Sequence, residues 1–171
     1  MALGGGMELA LSADVLLAVP KTKIAFPETG IGIYPGLGGT QRTAIRVGKG
    51  LAKYLVLTGQ MVGAKQALEM GLVDAIVQPD EVFEIMQGKM RVPRKQEIEL
   101  SSRWKGLACL YGANSYRDIM DGNAPKCEIS DEEIQKITKT MSFKAPVAMA
   151  FAEELIDRGR GTASELEKLT D

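Results

Sequence analysis

The first 40 residues combine many glycines with few charged side chains, and this pattern constrains the fold more than any other feature. Eight of the 19 glycines lie before residue 40. The first 40 residues carry only five charges, whereas the remaining 131 carry 38. A glycine-rich segment with few charges is typical of buried chain with tight turns. We therefore predict a buried front and a helical, solvated remainder.

The length and composition are those of one globular domain. A chain of 171 residues normally buries about 70% of its unfolded surface, which is enough for one core. The hydrophobic fraction of 45% and the charged fraction of 25% exclude the disordered, collagen-like and disulfide-scaffold classes. The net charge of -1 gives no electrostatic basis for binding nucleic acid or an anionic membrane.

The apolar first 20 residues do not match a signal peptide or a membrane segment. They contain no basic residue before Lys21, and they include Glu8, Asp14 and three glycines. We therefore predict no membrane partner.

The sequence contains no histidine, which limits the chemistry that the chain can supply. Ser-His-Asp triads, Cys-His nucleophiles and imidazole metal sites are excluded, so acid–base chemistry rests on carboxylates, Lys, Tyr, Cys or water. The two cysteines, Cys109 and Cys127, are widely spaced and predict neither a zinc site nor a disulfide framework. We expect no metal and a reducing, cytoplasmic compartment.

The hydrophobic pattern predicts short strands and helices in alternation. Predicted strands lie at Val15–Val19, Lys23–Phe26 and Leu72–Val77. Predicted helices lie at Met7–Leu11, Thr40–Val47, Gly50–Leu57, Ala64–Met70, Pro79–Met86, Glu132–Met141 and Pro146–Arg158. Breakers such as Gly106 and Gly112 interrupt residues 87–126, which we interpret as an insert of short helices or loops.

Two glutamates are candidates for acid–base chemistry. If a helix begins at about Gly5, its first N–H groups are unpaired, and Glu8 projects from the same turn. The alternative is that Glu8 only complements the helix dipole. Glu28 follows Pro27 on a turn between apolar residues, and its alternative is an exposed turn acid.

The glycine clusters do not fit a nucleotide site. The segment 36–41 has Gln41 where the dinucleotide fingerprint requires its third glycine, and no Gly-Lys-Ser or Gly-Lys-Thr occurs. We therefore predict no dinucleotide or P-loop cofactor.

Several segments, in order, resemble the enoyl-CoA hydratase/isomerase (crotonase) family. These are Ala2–Ala10 with Asp14, Phe26–Glu28, Gly32–Arg42, Leu57–Gly59 and Ala64–Asp74. The resemblance is near-continuous from Ala2 to Val77. It implies an α/β fold, a crotonase-type ββα spiral followed by a helical C-terminal region that builds trimers, often stacked as hexamers.

The resemblance also implies roles for four residues. Gly5 matches one of two backbone N–H donors to the thioester oxygen, Glu8 and Glu28 match the two catalytic glutamates, and Gly36 matches a glycine that helps place the water. Glutamate at both positions favours an enoyl-CoA hydratase of fatty-acid or related acyl-CoA degradation, with the coenzyme A thioester as substrate and no cofactor. The alternatives are an enoyl isomerase, a C–C hydrolase, or an inactive piece with a structural or oligomerisation role.

The extent of the resemblance implies a fragment of the family's chain. The upstream part, with the second oxyanion donor, and the C-terminal end are absent, which is expected to leave Leu9, Val15 and Leu17 uncovered. We predict a partial core at 1–86, an insert or linker with short helices at 87–144 and the start of a helical region at 145–171. The long middle part resembles the hydratase part of fused hydratase/3-hydroxyacyl-CoA dehydrogenase chains.

A basic cluster and three aromatic residues have a structural interpretation. The cluster could contact coenzyme A phosphates or a partner domain, and a solvated face is the interpretation that we favour. Its residues are Lys89, Arg91, Arg94, Lys95, Arg103 and Lys105. We assign Trp104, Tyr111 and Tyr116 to the core or an interface.

Overall fold

The computed structural model describes residues 1–93, 99–124 and 127–159. The strands are β1 (Ala2–Leu3), β2 (Leu17–Ala18), β3 (Lys23–Ala25), β4 (Val62–Gly63) and β5 (Ala75–Ile76). The helices are α1 (Gly5–Ala10), α2 (Gly39–Thr58), α3 (Ala64–Glu69), α4 (Pro79–Met86), α5 (Ser102–Ala113), α6 (Tyr116–Met120), α7 (Asp131–Met141) and α8 (Pro146–Arg158). A 3₁₀ turn covers Glu28–Ile31. The predicted α/β class is confirmed.

Two small sheets organise the front of the chain. Strand β1 pairs in parallel with β3, which pairs antiparallel with β4, and β2 pairs in parallel with β5. In the β1–β3 pair, Leu3 lies opposite Ala25, and the Gly4 N–H donates to the Ala25 carbonyl at 3.0 Å. Parallel strands end at the same edge of a sheet, so α1 and the 3₁₀ turn both begin there.

Helix α2 has a kink at Gly48, which lies between the two predicted helices Thr40–Val47 and Gly50–Leu57. Gly48 has φ 80 and ψ 159, a conformation that glycine adopts readily and other residues rarely do. Beyond the kink, the backbone of Gly50 lies against the carbonyl of Ala108 on α5, and no side chain fits between them. The glycine thus lets α2 and α5 pack closely.

One hydrophobic cluster joins the front of the chain to the later helices. It extends from Met7 on α1 to Ile156 on α8. Three aromatic residues, assigned to the core from the sequence, are buried in it, which confirms that assignment; they are Trp104, Tyr111 and Tyr116. The division at 1–86, 87–144 and 145–171 stays a prediction.

Residues 87–126 contain the helices α5 and α6, and α5 includes both predicted breakers, Gly106 and Gly112, in a regular helix. Gly106 packs against the segment before α7, where a Cβ atom would lie 2.6 Å from the Glu128 carbonyl. Gly106 allows a close contact between α5 and the segment before α7, and it does not end the helix. By contrast, α4 and α8 have the predicted bounds, and the Ser130 hydroxyl caps α7 by accepting the Glu133 N–H at 3.3 Å.

The spacing of the two cysteines predicted no disulfide framework, yet the structure joins them. Cys109 on α5 and Cys127 form a disulfide, with their Cα atoms 6.1 Å apart. The close packing at Gly106 brings α5 and the 127–129 segment within the range that a disulfide spans. Spacing in sequence carries no information about this contact.

Some apolar and basic side chains lie at the surface. Leu9 is 73% and Val15 42% exposed, as expected, whereas Leu17 is half-buried. In the basic cluster, Lys105 pairs with Glu99 and Arg103 with Glu133, as on a solvated face. Arg94 and Lys95 lie outside the described residues.

No helix in the described part of the chain has both the length and the apolar character needed to span a bilayer.

Candidate active site

Glu8 lies on α1 with its side chain directed inward. The residue is only 3% exposed, and its Oε1 accepts hydrogen bonds from the N–H groups of Leu37 and Gly39, each at 2.8 Å. Two backbone donors on one oxygen fix the orientation of a carboxylate. A glutamate that only complements the helix dipole needs neither this burial nor these two hydrogen bonds, so that alternative does not account for the position of Glu8.

Glu28 opens the 3₁₀ turn at the end of β3, and its carboxyl group is buried. The residue is 6% exposed, and among the described residues neither carboxyl oxygen has a hydrogen-bond partner. Burial raises the pKa of Glu28, its own backbone N–H opposes the shift, and the charge of Glu8 adds to it. Glu28 is therefore not an exposed turn acid but a buried carboxyl group with a raised pKa.

The two glutamates reach one region because β1 and β3 run in parallel. Glu8 lies on α1, which follows β1, and Glu28 lies three residues after the end of β3. Gly4 directly precedes α1, and a Cβ atom on it would lie 2.9 Å from Glu28 Oε1, so the Glu28 carboxyl group lies against the start of the helix that carries Glu8. The fold thus brings together the two acids that the sequence singled out.

Gly5 lies beside this pair as the first residue of α1. The Gly4 carbonyl accepts the N–H groups of Met7 at 2.8 Å and Glu8 at 3.0 Å. The N–H of a first helical residue has no acceptor within its helix, so the Gly5 N–H is a donor of the kind expected. A Cβ atom on Gly5 would lie 3.7 Å from the Leu37 Cδ1 atom, which places that side chain over the helix end.

Gly36 directly precedes Leu37, and the amides that contact Glu8 belong to Leu37 and Gly39. These two donors are not among the site residues predicted from the sequence. Gly39 is the first residue of α2, and the glycine pair directly before a predicted helix was the signal for a free N–H there. For Leu37 no signal exists in the sequence, because its amide is directed by the turn.

The turn that carries Glu28 is held by the later helices. The Thr29 hydroxyl donates to the Val56 carbonyl at 3.2 Å, and the backbone carbonyl of Thr29 accepts the Ala145 N–H at 2.9 Å. Beyond this turn, the Tyr34 ring stacks on Phe151 of α8, with centroids 6.1 Å apart. The helices α2 and α8 therefore position Glu28 and its apolar surroundings.

The arrangement can perform acid–base chemistry on a substrate with a carbonyl oxygen. One carboxyl group is oriented by two amides, the other has a raised pKa, and a helix N–H lies beside them. A polar cavity of about 350 Å³ between α2 and α7 is lined by neither Glu8 nor Glu28. Within the described ranges, no group of three or more acidic or cysteine side chains could hold a metal ion.

Comparisons with known proteins agree with the family that the sequence resembles. The family model for enoyl-CoA hydratase/isomerase matches residues 1–94. A short-chain-enoyl-CoA hydratase of Clostridium acetobutylicum is 48% identical over 82 residues, which cover 48% of this chain and 31% of that protein. A short-chain-enoyl-CoA hydratase of Clostridioides difficile is 39% identical over 118 residues, which cover 69% of this chain and 74% of that protein.

A crotonyl-CoA hydratase of Syntrophomonas wolfei is 48% identical over 82 residues, 48% of this chain and 32% of that protein. The chain thus spans about a third of the length of the first curated relatives that it matches.

Solved structures show the same fold. An enoyl-CoA hydratase from Rhodobacter sphaeroides matches with a TM-score of 0.74 and 22% identity, over 96% of this chain and 50% of that one. A carnitinyl-CoA dehydratase from Mycobacterium thermoresistibile matches with a TM-score of 0.69 and 23% identity, over 92% of this chain and 48% of that one. With the family model matching more than half of its residues and the fold shared, the chain belongs to the enoyl-CoA hydratase/isomerase (crotonase) family.

Proposed function

We propose that this chain carries the acid–base residues of an enoyl-CoA hydratase, which adds water across the 2,3 double bond of a 2-enoyl-CoA. The observation that carries the proposal is the pairing of Glu8, held by two amides, with Glu28, buried and without a hydrogen-bond partner among the described residues. Relatives named short-chain-enoyl-CoA hydratase and crotonyl-CoA hydratase support the same reaction.

The two carboxyl groups have different roles in this proposal. Glu8 accepts a proton from the water that attacks the β-carbon. Glu28, whose pKa burial raises, supplies the proton to the α-carbon. A water between the two groups would satisfy the buried Glu28 oxygens, which otherwise lack a partner among the described residues.

The Gly5 N–H stabilises the enolate oxygen that develops during the reaction. An oriented donor of this kind contributes about 2.7–4 kcal/mol to transition-state stabilisation. Gly36 belongs to the turn that presents the Leu37 and Gly39 amides, so its role is to shape the water site rather than to contact Glu8. The thioester is the substrate, and the proposal requires no cofactor.

The assembly is proposed to be a trimer, or a hexamer of stacked trimers. Large apolar side chains are exposed on α8 and just before it: Phe143 is 75%, Val147 69% and Phe151 57% exposed. Such a surface is typical of a protein interface. A cytoplasmic location, a role in fatty-acid degradation and a fused dehydrogenase in the parent protein belong to the same proposal.

Two substrates separate the candidate reactions. Hydration of crotonyl-CoA is followed by the loss of enoyl-thioester absorbance, and isomerisation of a 3-enoyl-CoA by its gain. A hydratase gives the first signal, and an isomerase gives the second. A folded chain that gives neither would support a C–C hydrolase or the structural or oligomerisation role instead.

A further inference from the structure

We propose that Arg42 is a positioning residue that holds the Leu37–Gly39 turn against Glu8, an inference that rests on the proposed function. Arg42 lies in the first turn of α2, and its Nη1 donates to the Leu37 carbonyl at 2.6 Å. The N–H of the same Leu37 donates to Glu8 Oε1. Leu37 is therefore held at its carbonyl by Arg42 and at its N–H by Glu8.

The backbone of α2 reinforces this link. The Arg42 N–H donates to the Gly38 carbonyl at 2.9 Å, which is the first hydrogen bond of the helix. The helix thus carries the guanidinium on the same turn that presents the Gly39 amide to Glu8. Side chain and helix end act on the turn together.

The two glycines of the turn are each required by a different neighbour. Gly38 has φ 93, and a Cβ atom there would lie 2.6 Å from Arg42 Nη1 and 3.0 Å from its Cζ. A Cβ atom on Gly39 would lie 2.7 Å from Glu8 Oε1. The turn is therefore packed tightly between the guanidinium on one side and the carboxyl group on the other.

This packing gives Arg42 a function without contact with substrate. A turn fixed from behind presents two amides to Glu8 in one geometry, and a fixed carboxylate holds the attacking water in one place. Without the guanidinium, the Leu37 carbonyl loses a charge-assisted hydrogen bond, and the two amides lose their fixed direction. Arg42 thus acts on the reaction through Glu8.

Amide hydrogen exchange tests the proposal whether or not the chain hydrates crotonyl-CoA. In Arg42→Met, which keeps the alkyl stem, we expect the Leu37 and Gly39 amides to exchange at least about 10-fold faster, in line with one lost charge-assisted hydrogen bond. The amides of Leu55 and Leu57, beyond the kink of α2, report whether the helix is intact and are expected to change less than about 2-fold. Arg42→Lys is expected to lie between the two.

Arg158→Met is the matched control, because Arg158 lies exposed on α8 and pairs with Glu154. In the hydration assay, Arg42→Met is expected to lower kcat by about 10-fold with KM nearly unchanged, and Arg42→Lys to recover part of the loss. Unchanged exchange at Leu37 and Gly39 in a folded Arg42→Met would overturn the proposal. An inactive wild type with faster exchange in the variant would overturn the hydratase function alone.

Discussion

Gly4 lies directly against the carboxyl group of Glu28: a Cβ atom on Gly4 would stand 2.9 Å from Glu28 Oε1. Gly4 also has φ 52, which residues other than glycine rarely adopt. The glycine that precedes α1 therefore has two tasks, since it turns the chain and leaves room for the Glu28 carboxyl group.

The Gly4→Ala variant is expected to lose stability and displace Glu28. At φ 52 and ψ -129 the backbone of Gly4 has a conformation that glycine adopts readily, and it costs about 1–3 kcal/mol for a residue with a Cβ atom. The control is Gly6→Ala, because no atom lies within 4 Å of a Cβ at that helical position, and alanine favours a helix by about 0.8–1 kcal/mol. Urea unfolding of both variants is the measurement, and a Gly4→Ala protein as stable as Gly6→Ala would contradict the assignment.

The Gly5→Pro variant tests the backbone donor. Proline removes the N–H and is tolerated at the first position of a helix, so the fold is expected to survive. We expect crotonyl-CoA hydration to fall by at least about 10²-fold. Gly5→Ala keeps the N–H and meets only Leu37 at 3.7 Å, so it is the matched control. Equal rates in the two variants would remove Gly5 from the mechanism.

The raised pKa of Glu28 predicts how stability changes with pH. Burial holds the folded pKa above the ordinary value of 4.5, so the folded state binds this proton more tightly than the unfolded state. The stability from this group is present below pH 4.5 and is lost as pH rises through the folded pKa. The wild type is therefore expected to lose stability relative to Glu28→Gln as pH rises, because only the wild type has this group to ionise. Parallel curves for the two proteins from pH 4 to about 8 would exclude the shift.

The disulfide predicts a difference between the oxidised and reduced protein. A crosslink between positions 18 residues apart stabilises a domain by about 3 kcal/mol in the chain-entropy account. Alkylation of the unfolded, unreduced protein is expected to leave Cys109 and Cys127 unmodified, and the Cys109→Ser/Cys127→Ser variant to unfold at lower urea. Two alkylated thiols in protein purified without reductant would show that the pair stays reduced.

Local patterns predicted the elements whose bounds depend on local chemistry. Pro79 and Pro146 open α4 and α8 because proline fits the first turn of a helix, and Ser130 caps α7. Glu8 was singled out because it projects from the first turn of a predicted helix, and Glu28 because it follows Pro27 on a turn between apolar residues. These signals act over a few residues, which is the range that a sequence pattern covers.

Contacts between distant segments were not predictable in the same way. Gly106 reads as a helix breaker until the approach of Glu128 is known, and the Cys109–Cys127 pair depends on the same approach. The donors to Glu8 come from a turn about 30 residues away, whose geometry is set by packing. Tertiary structure decides such contacts, and local propensity carries no signal for them.

The most direct test of the account is the rate of crotonyl-CoA hydration by the intact parent protein and by its Glu8→Gln and Glu28→Gln variants. Each substitution keeps the shape of the side chain and removes the acid, so kcat is expected to fall by about 10²–10⁴-fold while KM stays nearly unchanged. Glu84→Gln, exposed on α4, is the control and is expected to retain the wild-type rate. Near-normal hydration by either Glu8→Gln or Glu28→Gln would contradict the account.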